Sequence, residues 1–224
     1  MIKLEHTVLP SPEQMQFIIE GMRNPMNSWD KSDSTIVKTD HEVDDYIDIG
    51  KTDYSLMQRL SNAGTDHRKF MRMMPVFVRI TAPLYWWKEF DTYKVGTVAN
   101  SCSTMHKIHE KEFTTDDFSC EHLDIRTKAL LEVTIKILND YRKLYIEYNR
   151  DDFEIKGCPS KKDIWWQMIQ SLPSSYNQTR NVMLNYEVLD NIYNSRKNHK
   201  LDEWREFCKW VEYLPYSELI IRED

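Results

Sequence analysis

Residues 92–105 of this chain combine side chains and spacing suited to binding an anion. The segment reads Thr-Tyr-Lys-Val-Gly-Thr-Val-Ala-Asn-Ser-Cys-Ser-Thr-Met, and it is small, polar and weakly charged. Closely spaced backbone amides and short hydroxyls can cradle a phosphate or a carboxylate. The same composition also fits an ordinary connecting loop, and the segment alone does not decide between these two interpretations.

A second candidate group lies near the C-terminus, on a stretch with helical spacing. Asn191 and Arg196 are five residues apart and flank one face of a helix, and Asn185 precedes them. An arginine with two amides nearby can bind a phosphate or the hydrogen-bonding edge of a pyrimidine. The alternative is a solvated helix surface.

Thiols and imidazoles downstream of the polar segment suggest a metal site. Cys102, His106 and His109 have ligand-type spacing, with Cys120 and His122 beyond them. Thiolate and imidazole are ligands that zinc prefers. The spacing matches no tight zinc signature, so we interpret the two histidines as capped or solvated and predict no metal site.

The same stretch also invites a nucleophilic interpretation. Ser101, Cys102 and Ser103 lie close in sequence to His106, which could act as their base. The chain has no Gly-x-Ser-x-Gly elbow, and a hydrolase is therefore disfavoured.

Length and composition bound the class of protein. With 224 residues, 41% hydrophobic and 12% aromatic, the chain can bury a full core in one domain over residues 1–224. A net charge of −6 disfavours duplex nucleic acid as a partner. No apolar run is long enough to span a membrane or to act as a signal peptide. These features predict a cytoplasmic protein with free thiols at Cys102, Cys120, Cys158 and Cys208.

Secondary structure must position these residues. The predicted elements indicate an α+β fold, dominated by helices, with a small, mostly antiparallel sheet. Strands are predicted at 2–8, 35–37 and 76–80. Capping signals and apolar periodicity predict seven helices. The first starts at Ser11, the second runs from an Asp53 cap to Leu60, and the third starts at Pro83. The fourth spans 124–149, the fifth starts at Ser160, the sixth ends at Ser195, and the seventh spans 201–213.

Further motifs accompany the two candidate groups in a set order. The C-terminal half contains Leu172-Pro173-x2-Tyr176, then Asn185-x5-Asn191-x4-Arg196, then His199 and Asp202-Glu203-Trp204. Upstream stand His67, Phe77-Val78-Arg79-Ile80 and Ala82-Pro83. In order and spacing, over most of its length, the chain resembles the flavin-dependent thymidylate synthases. Residues 92–103 fall where that family has its Arg-His-Arg-x7-Ser signature.

The resemblance implies an α+β homotetramer that binds FAD and dUMP in active sites built from several subunits. It implies methylation of dUMP at C5, with methylenetetrahydrofolate and NADPH as co-substrates. By position it implies that the flavin is bound by His67, Lys94, Thr97, Asn185 and Asn191. It implies that the nucleotide is bound by Asn100, Ser101, Ser103 and Arg196, with Arg196 and Ser103 as the catalytic residues.

Departures from the family pattern support an alternative. Thr92-Tyr93-Lys94 replaces Arg-His-Arg, and Glu187 stands where the family helix carries Arg. Each lost charge-assisted phosphate contact costs on the order of 1.5–3 kcal/mol. The cations that could replace those contacts are Arg79, Lys88, Lys107 and Arg180. The alternative is a non-catalytic protein that keeps the fold, has lost the flavin site, and binds a nucleotide or a protein partner.

Overall fold

The structure, a computed structural model, describes residues 2–39, 44–148 and 159–221. The chain divides into two compact units, each built from separate stretches of sequence. The first unit comprises Met1–Lys3, Thr81–Phe90 and Ser101–Arg180, and the second comprises Leu4–Ile80, Asp91–Asn100 and Asn181–Asp224. The single domain expected over residues 1–224 stays a prediction.

The predicted fold class is confirmed, with many helices and a small antiparallel sheet. The strands of the described residues are β1 (Lys3–Val8), β2 (Thr35–Val37), β3 (Tyr46–Asp48), β4 (Pro75–Pro83), β5 (Val98–Ser101) and β6 (Asn177–Asn185). Four of them form one sheet in the order β1-β4-β6-β5. The other two, β2 and β3, pair antiparallel, with Ile36 opposite Ile47.

The α-helices are α1 (Pro12–Arg23), α2 (Lys51–Asn62), α3 (Leu84–Phe90), α4 (Ile125–Glu147), α5 (Lys161–Ser171), α6 (Tyr186–Arg196) and α7 (Asp202–Glu212). The starts predicted at Ser11 and Ser160 are confirmed, because each serine is the N-cap of a capping box. In α1 the Ser11 hydroxyl accepts from the Gln14 N–H at 3.3 Å, and the Gln14 side chain accepts from the Ser11 N–H at 2.9 Å. Local sequence is sufficient to define these two helix starts.

The start of α2 differs from the prediction. The carboxylate of Asp33, which lies just before β2, accepts from the N–H groups of Thr52 and Asp53 at 2.9 and 3.0 Å. Asp53 lies inside the first turn and is fully buried. Its carboxylate pairs with the buried Arg23 and accepts from the Ser34 hydroxyl at 2.7 Å. The prediction that Asp53 caps α2 was wrong because a carboxylate about 20 residues upstream takes that role.

Each unit has its own apolar core. In the first unit, α4 packs along α5 over a cluster of Ile108, Phe113, Phe118, Leu131, Leu138 and Met168. In the second unit, alternate residues of the strands are at most 2% exposed, namely Val76, Val78 and Ile80 of β4 and Val182 and Leu184 of β6. The intervening residues therefore point to the opposite face of the sheet.

Candidate functional site

In the second unit, the segment that precedes β5 lies against both ends of α6. Tyr93 contacts Arg196, the last residue of the helix, and Gly96 contacts Asn185, its N-cap. Contacts of this four-residue segment therefore reach both ends of the 11-residue helix, which is about 16 Å long. Two segments that lie about 90 to 100 residues apart in the sequence are thus in contact.

Arg196 lies in an aromatic cage at the end of α6. Its Nε donates to the Tyr93 hydroxyl at 2.9 Å, and its guanidinium carbon lies 4.8 Å from the centre of the Trp204 ring. The Tyr93 and Trp204 rings meet edge to face at 6.0 Å, and His199 contacts Trp204 on another side. Stacking on the face of an indole restricts a guanidinium to a plane, which suits bidentate recognition of a flat partner.

Asn185 lies at the other end of the helix, and Gly96 packs closely against it. The Asn185 side chain is the N-cap, accepting from the Val188 N–H at 3.0 Å. A Cβ on Gly96 would lie 2.7 Å from the Asn185 amide nitrogen, and Gly96 has a positive φ of 77°. Only glycine satisfies both conditions without strain. Thr97 follows, and its hydroxyl donates to the Tyr93 carbonyl, closing the turn.

Ion pairs connect the residues that follow His67, a predicted flavin contact, to the first turns of α6. Arg68 is buried and pairs with the buried Asp190. Glu187, in the first turn, accepts from the guanidinium of Arg72 at 3.0 Å and lies 3.7 Å from Arg68 Nε. His67 itself is exposed beside this network. The family pattern has an arginine at position 187, and here an acid neutralises cations from the neighbouring turn instead.

The remaining predicted residues of this unit lie at the surface. Lys94, on the joining segment, and Asn191, in the middle of α6, are both exposed. Asn100 lines a cavity of about 230 Å³ on the open face of the sheet, together with Phe77, Arg79 and Asn181. Arg79 Nε donates to the Asn181 side chain at 3.3 Å in that cavity. These positions are consistent with ligand contacts and do not test them.

Ser101 and Ser103 belong to the first unit, and Ser103 already has an internal role. Its hydroxyl oxygen accepts from the N–H groups of His106 and Met105 at 2.9 and 3.4 Å. It therefore caps the following turn, while its own proton stays available for a donor interaction. Both serines are exposed.

A cluster around Arg180 supports the same segment from β6. The main chain of Cys102 makes two hydrogen bonds: its N–H donates to the Thr179 carbonyl at 2.9 Å, and its carbonyl accepts from the Gln178 side-chain amide at 2.8 Å. Arg180 Nε donates to the Gln178 side chain at 2.9 Å, and its guanidinium carbon lies 4.1 Å from the Trp87 ring centre. Gln178 thus connects Arg180 to the main chain of Cys102.

Within the described ranges, no group of three or more histidine, cysteine and acidic side chains lies close enough to bind a metal ion. His109 packs on the Tyr145 ring, with 4.6 Å between ring centres, and His106 is exposed. Cys158 falls outside the described residues. No helix among the residues described has the length and apolarity that crossing a membrane requires.

Sequence reasoning missed several residues of the site. Tyr93 entered only as a departure from a motif, although its hydroxyl holds Arg196. Gly96 and Trp204 complete the contact between the segment and the helix ends. A glycine between β-branched residues just before a strand was the available signal for Gly96, and no signal in the sequence pairs Tyr93 with Arg196.

The fold and the site geometry can be compared with known proteins. No protein-family model matches the chain, and no curated protein sequence matches it. Among solved structures, it is similar to the flavin-dependent thymidylate synthase ThyX of Helicobacter pylori complexed with FAD and dUMP. The TM-score is 0.59 at 15% identity, covering 98% of this chain and 97% of that chain.

A second crystal structure, of thymidylate synthase X from Helicobacter pylori with FAD and dUMP, also has a TM-score of 0.59. Its identity is 14%, and the match covers 97% of this chain and 94% of that chain. The resemblance inferred from the sequence is confirmed at the level of the fold. The chain has the fold of a flavin-dependent thymidylate synthase.

Proposed function

We propose that this protein is a divergent flavin-dependent enzyme that methylates dUMP, or a related pyrimidine nucleotide, at C5. FAD would be its bound cofactor, and methylenetetrahydrofolate and NADPH its co-substrates. It would form a homotetramer in the cytoplasm. The fold neighbours that hold FAD and dUMP support the ligand class.

One observation carries the proposal: the caged guanidinium of Arg196. Tyr93 and Trp204 contact it and restrict its motion before any ligand arrives. A uracil ring carries carbonyl oxygens in its own plane, and a planar guanidinium, which has only hydrogen-bond donors, can donate two N–H groups to such an oxygen. Because the cage restricts the arginine in advance, little conformational entropy is lost on binding.

The other end of α6 suits the flavin. Gly96 has no side chain, so the backbone of the segment packs directly on the Asn185 amide, and the flavin would bind beside this contact. Asn185 and Thr97 would offer hydrogen-bonding groups to its edge, with Lys94, Asn191 and His67 around it. Bound flavin would supply a hydride for the reductive step, while the protein supplies placement and electrostatics.

The phosphate of the nucleotide would be bound by the groups of the first unit. Ser101 and Ser103 offer hydroxyl protons, and Arg180 offers a positive charge held by Trp87 and Gln178. Asn100 would contact the sugar or the base. In the homotetramer that we propose, active sites draw on several subunits, so these groups and Arg196 need not come from one copy.

A non-catalytic nucleotide-binding protein is the second candidate, and the ion pairs of Glu187 favour it. Glu187 neutralises Arg72 and approaches Arg68, so two cations near the first turn of α6 are committed to acids. Glu187 also adds negative charge at a helix N-terminus, where a phosphate would otherwise be attracted. Such a protein would bind dUMP and no flavin.

Purified protein distinguishes the two candidates. The enzyme should be yellow, with absorbance at about 450 nm from oxidised flavin, and NADPH should bleach it. Stability gained with dUMP but not with FAD indicates the second candidate. A protein that melts at the same temperature with either ligand excludes both.

Replacing Arg196 by alanine should weaken dUMP binding by about 10- to 100-fold, because hydrogen bonds to a charged group contribute on the order of 1.5–3 kcal/mol. The matched control is Lys197→Ala, which removes the exposed neighbouring cation and should leave the affinity within about twofold. Isothermal titration measures both. Equal affinity in the two variants would remove Arg196 from the site.

A further inference from the structure

A cavity of about 620 Å³ lies beside α1 in the second unit. Residues of α1, of the short 3₁₀ helix Trp29–Lys31 and of the chain just before β2 line it, together with Met73. Small-molecule sites in proteins typically measure about 300–1,000 Å³. None of the residues that we assign to the flavin or to the nucleotide lines this α1 cavity, so the proposed reaction leaves it without a role.

Two aromatic side chains of the α1 cavity are open to solvent. Phe17 and Trp29 are 65% and 50% exposed, and the neighbouring Met73 is 44% exposed. The Trp29 ring is nevertheless held in position, because its Nε1 donates to the Asn24 side-chain oxygen at 2.7 Å. A ring that is exposed and already fixed can receive a flat ligand with little loss of conformational entropy. The face of a tryptophan is also the aromatic surface that attracts a cation most strongly.

The two hydroxyl groups of the α1 cavity can act only as acceptors towards a ligand. Ser32 and Ser34 both donate to one carboxylate oxygen of Asp53, at 2.8 and 2.7 Å. Asp53 pairs with the buried Arg23 and is therefore ionised, and an ionised carboxylate has no proton to give. Both serine protons are thus committed inside the protein, and each oxygen has only lone-pair capacity left. A ligand with N–H donors satisfies it.

The charge of the α1 cavity is negative. Glu20, an exposed residue of α1, lines it, and within the described residues its carboxylate has no hydrogen bond or ion pair. No lysine, arginine or histidine is among the described residues that line the cavity, since Arg23 is 2% exposed and lies outside the lining. An anion would therefore meet a carboxylate with no positive charge to offset it.

We propose that the α1 cavity binds a small organic cation with a planar head group, an amidinium or a guanidinium. Its N–H groups would donate to Glu20 and to the serine oxygens, and its flat surface would stack on Trp29 and Phe17, as guanidinium groups do on aromatic rings. A metal ion is a poorer occupant, because no group of three acidic, histidine or cysteine side chains with suitable spacing occurs within the described part of the chain.

Benzamidine and benzamide test the proposal, because they have nearly the same shape and only benzamidine is positively charged. Ligand-observed NMR titration of the purified native protein measures both affinities. Benzamidine should bind at least about 10-fold more tightly, since hydrogen bonds between charged groups are stronger than those of a neutral amide. Equal affinities would overturn the inference. So would the absence of saturable benzamidine binding up to about 10 mM, which is weak even for a fragment of this size.

Glu20→Gln keeps the size of the side chain and removes its charge at an exposed position. It should weaken benzamidine binding about 10-fold and leave benzamide binding unchanged. The matched control is Asp30→Asn, which removes an exposed acid beside Trp29 that does not line the cavity, and benzamidine affinity should stay within about twofold. A Glu20→Gln variant that keeps the native preference for benzamidine would contradict the assignment.

Trp29→Leu tests the aromatic wall and should weaken both ligands, because both stack on the ring. Thermal melting establishes that each variant is folded, and the Glu20→Gln result decides the inference if Trp29→Leu is not. The test is separate from the proposed activity, since FAD and dUMP should bind Glu20→Gln as they bind the native protein. Loss of either ligand in that variant would show that the α1 cavity belongs to the flavin or nucleotide site and would overturn a separate cation site.

Discussion

At the scale of single residues, Tyr93 is a departure from the family pattern whose contacts the structure defines. A tyrosine where the pattern has a histidine gives Arg196 both a hydrogen-bond acceptor and an aromatic edge. The arginine is therefore held by the joining segment as well as by α7, through Trp204. A substitution that looks like a loss in the sequence becomes part of the cage in the structure.

The variant Tyr93→Phe tests that role. It removes the hydroxyl and keeps the ring, so Arg196 should become more mobile while the fold is retained. We expect dUMP affinity to fall about 3- to 10-fold, the range of a single hydrogen bond worth about 0.5–1.5 kcal/mol. Tyr213→Phe, at a side chain that is 88% exposed, is the control. Titration calorimetry measures both, and unchanged affinity in Tyr93→Phe would show that Arg196 is held without it.

Two cysteines should differ sharply in reactivity. Cys102 is exposed, whereas Cys208 is 3% exposed. Burial, with a smaller contribution from the Glu212 carboxylate, raises the pKa of the Cys208 thiol to about 12. Since the thiolate is the nucleophile, iodoacetamide at about pH 8 should label Cys102 on the order of 100-fold faster. Timed alkylation and peptide mass mapping measure the rates, with Cys102→Ser to confirm the assignment. Equal rates would mean that Cys208 is accessible.

At the scale of elements, the site depends on how closely one loop approaches one helix. Gly96 and Gly64 both have positive φ, 77° and 101°, but their surroundings differ. A Cβ on Gly96 would meet Asn185 and Val188 at 2.7 and 3.1 Å, whereas a Cβ on Gly64 would meet nothing within 4 Å. Substitutions at the two glycines can therefore distinguish the effect of backbone strain from the effect of steric contact.

Alanine at each position measures the two effects. Gly64→Ala should lower the free energy of unfolding by about 1–2 kcal/mol through strain alone. Gly96→Ala should lower the free energy of unfolding by at least about 1 kcal/mol more than Gly64→Ala does, since the N-cap of α6 must also shift. Only Gly96→Ala should weaken FAD binding. Urea unfolding and flavin titration are the measurements, and similar values for both variants would mean that the loop does not press on α6.

At the scale of the whole molecule, stability depends on buried charges as well as on the cores. Arg23 and Asp53 are 2% and 0% exposed, on α1 and α2, and they link two helices with the loop at Ser32 and Ser34. Burial alone would raise the pKa of Asp53, but hydrogen bonds from Ser34, Ser32 and Arg23 outweigh it and lower the pKa below its ordinary 3.8.

Asp53→Asn should lower the free energy of unfolding by about 3–5 kcal/mol, because it leaves a buried guanidinium without its counter-charge. A depressed carboxyl pKa stabilises the fold above the ordinary value, and this contribution is lost as the pH falls through the lowered one. The free energy of unfolding of the native protein should therefore fall more steeply with decreasing pH than that of the variant. Urea titrations between about pH 3 and 7 measure this. Asp30→Asn, at an exposed site, should follow the native curve.

The sequence by itself determined the features that depend on neighbouring residues. Capping boxes at Ser11 and Ser160, the apolar periodicity and the order of motifs were sufficient for the helix starts, the fold class and the family resemblance. The helix starts follow from hydrogen bonds and side-chain spacing within a few residues, which a linear sequence displays directly.

The tertiary structure decided which distant residues meet. It replaced Asp53 with Asp33 as the cap of α2, joined Tyr93 to Arg196, and paired Arg68 with Asp190. It also left Leu130, Val133, Ile137 and Leu144 of α4 exposed, while Leu131 and Leu138 of the same helix are buried. Contacts between residues 20 to 120 positions apart depend on how whole elements pack, and no local pattern in the chain encodes that packing.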